Sequence, residues 1–319
     1  MINDNNIGFI GLGNVGSKIA NNIIISKKNL FIFDLKKIKA KFLIKKGAYW
    51  CYSLEELTKK SSIIITCLPS PLAVSNVIEG KNGIINFINK DHLWIEMSTT
   101  DEKEMIRLSN KVKKNGANVL EAPVTGGQHR AASGNISVFV SGERKNFVRA
   151  FPILSIIGKK LLFCGNLGNA STLKVITNYL ASINLLAIGE ALMVSKKYGI
   201  DLTTTFHGIK ISSGNSFVHE TESKVILNGS YDVGFTMDLV CKDLKLFNKL
   251  VKKYKIPPKI SNLMLNIFEK ARKNLGNRSL STSIVKQIED ICNEDLRAPN
   301  FPKELIDDEP RMVGFEIKF

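Results

Sequence analysis

The stretch IGFIGLGNVGSKIA, residues 7–20, decides the fold of the first half of the chain. A short apolar run is followed at once by Gly11, Gly13 and Gly16 and then by an amphipathic helical pattern. This strand–turn–helix arrangement is typical of a dinucleotide-binding turn, in which the glycines permit a tight turn, close approach of a pyrophosphate and close helix–strand packing. We expect the pyrophosphate to bind over backbone N–H groups at the positive end of the helix, which involves Gly11, Leu12, Gly13, Asn14, Val15 and Gly16.

Asp34 completes this pattern, because it follows the second predicted strand eighteen residues after Gly16. A carboxylate at this position accepts hydrogen bonds from the adenosine ribose hydroxyls, and its charge repels a 2′-phosphate. The sequence therefore predicts NAD as the cofactor. Lys36 and Lys37 lie close by and weaken this preference, so NADP stays open.

Apolar strands alternate with helical patterns through the first half of the chain, and the strand signals stop at about residue 165. Continuous apolar strands separated by helices predict an α/β, doubly wound parallel sheet of the Rossmann type. The patterns that follow, beginning with a long helix at 171–198, are all helical. We predict a Rossmann domain for NAD over 1–165 and an all-helical substrate and oligomerisation domain over 166–292. Residues 293–319 are predicted to be an irregular tail or an arm that packs on a neighbour.

Composition excludes several classes of protein. The formal net charge is +16, but the lysines are scattered in pairs without a basic arm or an Arg-rich stripe, which argues against nucleic acid as a partner. The five cysteines are far apart and show no CxxC pairing, which argues against a disulfide framework and a metal site. The N-terminus shows no signal peptide, and the apolar stretch 180–194 is broken by Asn184 and Glu190. We expect a cytoplasmic protein that does not enter membranes.

Two further features can be interpreted either as ordinary structure or as functional sites. Lys174 lies among apolar residues of the long helix, and Asn178 follows on the same face. A lysine is most often a solvated surface residue, but one among apolar neighbours loses hydration, and its pKa falls from ~10.4 towards neutrality. Thr125-Gly126-Gly127 is either an ordinary turn or a cluster of backbone donors suited to a carboxylate.

Four motifs in a fixed order carry a family resemblance. They are GFIGLGNVG near the N-terminus, APVTGG in the centre, the segment from Gly165 to Gly168 that leads to Lys174 and Asn178, and Lys242-Asp243-Leu244. Over about residues 6–292 the chain resembles the β-hydroxyacid dehydrogenase family, which shares its scaffold with 6-phosphogluconate dehydrogenase. Each motif alone is weak, but the four together are specific.

The resemblance implies a role for each matching position. Lys174 corresponds to the catalytic lysine and Asn178 to its partner in the substrate pocket, while Thr125, Gly126 and Gly127 correspond to the loop that holds the substrate carboxylate. The positions that correspond to residues around the cofactor are Leu68, Pro69, Thr99 and Lys242.

The chain also departs from the family pattern. Thr125 stands where serine is usual and Glu121 where aspartate is usual, so the hydroxyl and the charge are kept. Ala170 replaces a glycine and Thr177 an asparagine. Gln128-His129-Arg130 replaces small residues just after the glycines, which we expect to alter the substrate tail that fits.

The resemblance implies an NAD-dependent oxidoreductase that interconverts a small 3-hydroxy acid, such as 3-hydroxyisobutyrate, and its semialdehyde. Lys174 would exchange the hydroxyl proton while hydride passes to or from the nicotinamide. Tartronate semialdehyde (2-hydroxy-3-oxopropionate) reductase is an alternative. Imine reductases and non-catalytic NAD(P)-binding modules on this scaffold tend to lack the lysine, so Lys174 argues against both. A homodimer or homotetramer is expected from the helical second half.

Overall fold

Ten strands form one sheet within residues 4–319, the part of the chain that the computed structural model describes. In chain order they are β1 (Asn6–Ile10), β2 (Asn29–Phe33), β3 (Tyr49–Trp50), β4 (Ile63–Thr66), β5 (Leu93–Glu96), β6 (Asn118–Glu121), β7 (Val124–Thr125), β8 (Ile136–Gly142), β9 (Gly158–Phe163) and β10 (Phe315–Glu316).

Helices cover the sheet and then make up the second half of the described chain. The α-helices are α1 (Gly16–Ile25), α2 (Lys41–Lys45), α3 (Leu54–Lys60), α4 (Pro71–Glu79), α5 (Glu102–Lys114), α6 (Gly127–Ser133), α7 (Arg144–Ile157), α8 (Asn169–Tyr198), α9 (Leu202–Lys210), α10 (Phe217–Asn228), α11 (Met237–Lys253), α12 (Lys259–Leu275) and α13 (Lys286–Cys292). Short 3-10 turns occur at Lys37–Ala40, Ile84–Asn86 and Ser281–Val285.

The strand order is β10-β9-β8-β6-β5-β4-β1-β2-β3, with β7 paired to β8. The order reverses beside β1, as in doubly wound folds, so the predicted α/β class followed by helices is confirmed. The sheet is mostly parallel, as predicted, with β8 as the exception. β8 runs antiparallel to both β6 and β7, because β7 and α6 turn the chain back before β8 begins.

Helices bury both faces of this sheet. One face places Ile7, Phe9 and Ile65 in a core with residues of α1 and α7. The other face places Ile64 and Trp94 against α3, α4 and α5. Because successive strand residues point to opposite faces, a strand covered on both sides must be apolar throughout, which explains the unbroken runs in the sequence.

The described chain divides into two compact units. The sheet unit runs to Lys174 and also includes Asp307–Phe319, and the helical unit is Val175–Ile306. This division lies within α8, downstream of the boundary that the strand signals suggested at residue 165. Leu192, Phe206 and Phe268 belong to the core of the helical unit.

Helix α8 is long and apolar enough to cross a membrane by length and composition alone. Its second half, however, contributes Leu185, Ile188, Leu192 and Met193 to the core of the helical unit. These four side chains pack as in the core helix of a globular protein.

The end of the tail forms a strand, whereas the sequence suggested irregular structure there. Residues 315–316 form β10, which pairs in parallel with β9 of the same chain, Phe315 opposite Lys160 and Glu316 opposite Leu161. The tail therefore adds an edge strand to the sheet of its own chain.

Candidate functional site

The three glycines between β1 and α1 meet different surroundings. Gly11 has φ +100°, and a Cβ on it would lie 2.3 Å from the carbonyl oxygen of Cys67. A Cβ on Gly16 would lie 2.1 Å from the carbonyl oxygen of Gly11, whereas one on Gly13 would meet no atom within 4 Å. Gly11 and Gly16 are thus needed by the fold, while Gly13 borders open space, as the predicted approach of a pyrophosphate requires.

The other residues of this turn differ in burial. Leu12 is buried, Asn14 is exposed and Val15 is half-buried. Val15 caps α1 without a side-chain hydrogen bond. The N-terminus of α1 therefore has no acidic cap of its own, and the residues fit an anionic cofactor group.

Asp34 is tied to the glycine turn. Its Oδ2 accepts a hydrogen bond from the backbone N of Leu12 at 2.8 Å, and its Oδ1 accepts one from the backbone N of Lys36 at 2.9 Å. Lys39 Nζ lies 3.5 Å from Oδ2. Of the two lysines singled out in the sequence, Lys36 contributes its backbone here, while the ammonium of Lys37 lies over the rings of Trp50 and Tyr52.

The Leu68–Pro69 loop after β4 is held by a buried acid that sequence reasoning missed. The backbone N of Leu68 donates to Ser98 Oγ at 2.7 Å, and Glu96 accepts hydrogen bonds from the backbone N of Ser98 and from Thr66 Oγ1. Burial raises the pKa of Glu96 to about 7 although these hydrogen bonds oppose the shift. Thr99, next to Ser98, is half-buried. The signal in the sequence that could have found Glu96 is its position as an acid at the end of an otherwise apolar strand.

The Thr125-Gly126-Gly127 loop joins β7 to α6. Thr125 pairs with Ser137 of β8, and the two glycines have φ +122° and +84°. A Cβ on Gly127 would lie 2.9 Å from His129 Cε1, so the imidazole ring packs beside this loop. Positive φ at two successive residues explains why glycine is required at both.

Contacts with α1 hold α6 near the dinucleotide turn. Asn22 Nδ2 donates to the carbonyl oxygen of Ala131 at 2.8 Å, and Lys18 Nζ donates to Gln128 Oε1. The glycine turn and the glycine loop are therefore fixed to each other through one helix pair within the sheet unit.

A second buried acid, Glu121, fixes the start of α8. Its carboxylate accepts hydrogen bonds from the backbone N of Gly168, from the backbone N of Ser171 at 2.9 Å and from Ser141 Oγ at 3.1 Å. Burial raises the pKa of Glu121 against the effect of these hydrogen bonds. The sequence marked Glu121 only as a substitute for aspartate, and the structure gives it the position of a helix cap.

Lys174 follows in the first turns of the same helix. Although it is a lysine, only 8% of its surface is exposed. Its side chain therefore does not extend into solvent as most lysines do.

The helical unit brings Asn178 and Lys242 to one carboxylate. Asn178 Nδ2 donates to Asp243 Oδ2 at 2.6 Å, and Lys242 Nζ lies 3.0 Å from Asp243 Oδ1. Asp243 is 3% exposed. Sequence reasoning quoted Asp243 within a motif but assigned it no role, and its position directly after Lys242 was the only signal.

Comparison with known proteins gives the family context. The model for the NAD binding domain of 6-phosphogluconate dehydrogenase matches residues 6–165. A second model, NAD-binding of NADP-dependent 3-hydroxyisobutyrate dehydrogenase, matches residues 168–288.

Curated relatives match over most of their length. The chain is 30% identical over 280 residues to 2-(hydroxymethyl)glutarate dehydrogenase of Eubacterium barkeri, which covers 87% of this chain and 93% of that protein. It is 31% identical over 269 residues to mitochondrial 3-hydroxyisobutyrate dehydrogenase of Rattus norvegicus, which covers 82% of this chain and 80% of the relative.

Solved structures share the fold. The crystal structure of 3-hydroxyisobutyrate dehydrogenase from Salmonella typhimurium superposes with a TM-score of 0.80 at 23% identity. The match covers 88% of this chain and 99% of that one.

Proposed function

Because the chain belongs to the β-hydroxyacid dehydrogenase family and is an NAD(P)-dependent hydroxyacid dehydrogenase, we propose that it interconverts a small 3-hydroxy acid of the 3-hydroxyisobutyrate type and its semialdehyde. The observation that carries the proposal is the burial of Lys174 just after a helix start fixed by Glu121. Desolvation disfavours the charged form of an amine, so a buried lysine is suited to exchange a proton at neutral pH.

In the proposed mechanism, a residue of this chain carries the proton transfer. The bound nicotinamide supplies the hydride chemistry. In oxidation, Lys174 accepts the proton of the substrate hydroxyl as the C–H bond breaks, and in reduction it returns that proton to the carbonyl oxygen. Positioned proton transfer of this kind contributes roughly 10²–10⁴-fold to the rate.

Asn178 lies one helical turn after Lys174, on the same face of α8. We propose that its amide orients the hydroxyl or the lysine. The hydrogen bond from Nδ2 to buried Asp243 supports this role, because it fixes the orientation of the amide. Lys242 shares Asp243 and is proposed to reach the cofactor region.

The remaining residues are proposed to bind the two ligands. The group proposed for the carboxylate of the substrate is Thr125, Gly126 and Gly127. The group proposed for the cofactor is Gly11, Leu12, Gly13, Asn14, Val15, Gly16, Asp34, Leu68, Pro69 and Thr99. We propose NAD as the preferred cofactor, supported by the carboxylate of Asp34 at the end of β2.

A panel of hydroxy acids with NAD and NADP, followed by absorbance of the reduced cofactor, tests the substrate class. It contains 3-hydroxyisobutyrate, glycerate and 2-(hydroxymethyl)glutarate, since one relative is named for the last of these. We expect the highest kcat/KM with 3-hydroxyisobutyrate. Preference for glycerate would favour tartronate semialdehyde reductase. The absence of turnover of any hydroxy acid, together with salt-sensitive binding to nucleic acid, would favour a non-catalytic module.

The Lys174→Ala variant tests the proton transfer. We expect kcat to fall at least about a hundredfold, because the proton is no longer moved by a positioned group. The Kd for NADH, measured by fluorescence, should stay unchanged because the glycine turn is untouched. Lys196→Ala, on the last turns of the same helix, is the matched control. A Lys174→Ala enzyme that keeps the parent turnover contradicts the mechanism.

We also propose a cytoplasmic homodimer or homotetramer. Exposed apolar side chains on the helical unit support association between copies, among them Val194, Tyr198, Ile211 and Ile291. Light scattering coupled to size-exclusion chromatography measures the mass, and a monomer at micromolar concentration contradicts this proposal.

A further inference from the structure

The last residues of the chain lie beyond both family matches, the second of which ends at residue 288. Residues 307–317, here called the strap, leave the helical unit and return to the sheet unit. The backbone N of Gly314 donates to the carbonyl oxygen of Ser155 at 2.8 Å, and that of Ile317 to Leu161 at 2.8 Å. The strap is thus an ordered addition to the sheet unit.

The first residues of the strap bind the C-terminal end of α6. Asp307 Oδ2 accepts hydrogen bonds from Ser133 Oγ and from Asn135 Nδ2, the latter at 2.7 Å. Asn135 Nδ2 also donates to the backbone oxygen of Glu309 at 2.9 Å. The Asp307 side chain is only 4% exposed, so these bonds are shielded from water.

The strap also holds the middle of α6 through Arg130. Its guanidinium lies 2.7 Å from Glu309 Oε1 and 3.9 Å from Asp307 Oδ1. Glu309 is fixed in turn by Lys159 Nζ at 2.8 Å. Arg130, one of the residues that departs from the family pattern, is therefore engaged by the strap.

Arg130 connects the strap to the glycine loop. A Cβ on Gly126 would lie 3.2 Å from Arg130 Cδ, so the arginine side chain packs directly against the loop. Helix α6 has seven residues, too few to be stable by itself, and its position depends on what it packs against. Arg130 and α6 therefore connect the strap to Thr125-Gly126-Gly127 through direct contacts.

We propose that the strap positions the substrate-carboxylate loop, with Asp307 as the main positioning residue. The inference rests on the proposed function, since it assigns the carboxylate to this loop. Asp307 does not touch the reacting atoms. It acts by fixing Ser133, Asn135 and Arg130, so its loss should weaken substrate binding without changing proton or hydride transfer.

Asp307→Asn in the full-length protein tests this role. The asparagine keeps the size of the side chain but removes the negative charge. Its NH₂ group replaces one carboxylate oxygen, either the one that accepts from Ser133 and Asn135 or the one that faces Arg130. We expect KM for the best hydroxy acid to rise about tenfold, with kcat and the Kd for NADH within twofold of the parent. Asp307→Glu, which retains the charge, should recover part of the loss.

Asp308→Asn is the matched control, because Asp308 is the exposed neighbouring acid. Hydrogen–deuterium exchange of residues 124–135 provides a second readout, and it should rise in Asp307→Asn but not in Asp308→Asn. Should Asp307→Asn fail to fold, Arg130→Met removes the strap's partner on α6 and should raise KM and exchange in the same way.

Unchanged exchange in residues 124–135, or raised exchange with an unchanged KM, overturns the inference. A kcat that falls as much as KM rises also overturns it, because a general loss of structure then explains the result. If the parent oxidises no member of the panel, the proposed function fails, while the exchange measurement still decides whether the strap holds the loop.

Discussion

At the scale of single residues, Asp34 has two roles in one carboxylate. It holds the glycine turn through the backbone N of Leu12 and is proposed to meet the cofactor ribose. Sequence reasoning predicted only the second role, because a motif relates Asp34 to the ligand and not to the loop. The same carboxylate thus shapes the turn and is proposed to select the cofactor.

Asp34→Asn is expected to lower the ratio of kcat/KM for NAD to that for NADP about tenfold, because the charge that repels a 2′-phosphate is lost. The KM for NAD should also rise, since the amide nitrogen cannot accept the second backbone hydrogen bond. Steady-state kinetics with both cofactors measure the ratio, with Asp91→Asn, an exposed acid of the sheet unit, as the control. An unaltered ratio rejects the ribose assignment.

The contribution of Glu96 to the free energy of unfolding depends on pH. Burial, with a smaller contribution from the charge of Glu121, raises its pKa from 4.5 to about 7. Between these values the unfolded chain has lost the proton and the folded chain keeps it, so the folded state binds more protons. The contribution of Glu96 to stability is therefore most favourable below pH 4.5, and it declines as pH rises towards 7.

Glu96→Gln mimics the protonated carboxyl and should remove this loss. We expect the parent to lose up to about 3 kcal/mol more than the variant between pH 5 and pH 8. Urea unfolding of both proteins at the two pH values gives the double difference. Parallel pH dependence in parent and variant shows that Glu96 is not the group that titrates.

At the scale of elements, α8 carries both Lys174 and Asn178, and its register depends on Glu121. Glu121 accepts two backbone hydrogen bonds at the helix start and places a negative charge at its positive end. The 3.6-residue periodicity predicted this helix and the shared face of its two polar residues. It did not predict the cap, because the cap is supplied by β6, almost fifty residues earlier.

Glu121→Gln should lower the free energy of unfolding by about 2–4 kcal/mol, because one buried backbone donor loses its acceptor and a helix charge is removed. Urea denaturation measures the change. Glu190→Gln alters an exposed acid of the same helix and should have an effect below about 0.5 kcal/mol. Equal effects of the two substitutions on the free energy of unfolding would contradict the role of Glu121 as a helix cap.

At the scale of the whole molecule, the sequence was informative wherever a local pattern determines the structure. The alternation of apolar strands and helices predicted the class, and Gly11, Gly13, Gly16 and Asp34 predicted the turn. β9 and the strap were missed, because β9 begins with a glycine and two consecutive lysines and β10 is only two residues long. Such strands form through partners far away in the chain, which periodicity cannot show.

The return of the strap to the sheet has a consequence for biosynthesis. The ribosome must translate the entire helical segment before β10 emerges, so the nascent sheet keeps an unpaired edge at β9 until residues 315–316 have been translated. Open edges are templates for pairing between chains. A chain truncated before residue 307 would retain every proposed catalytic side chain and yet leave this edge open to pairing with another chain.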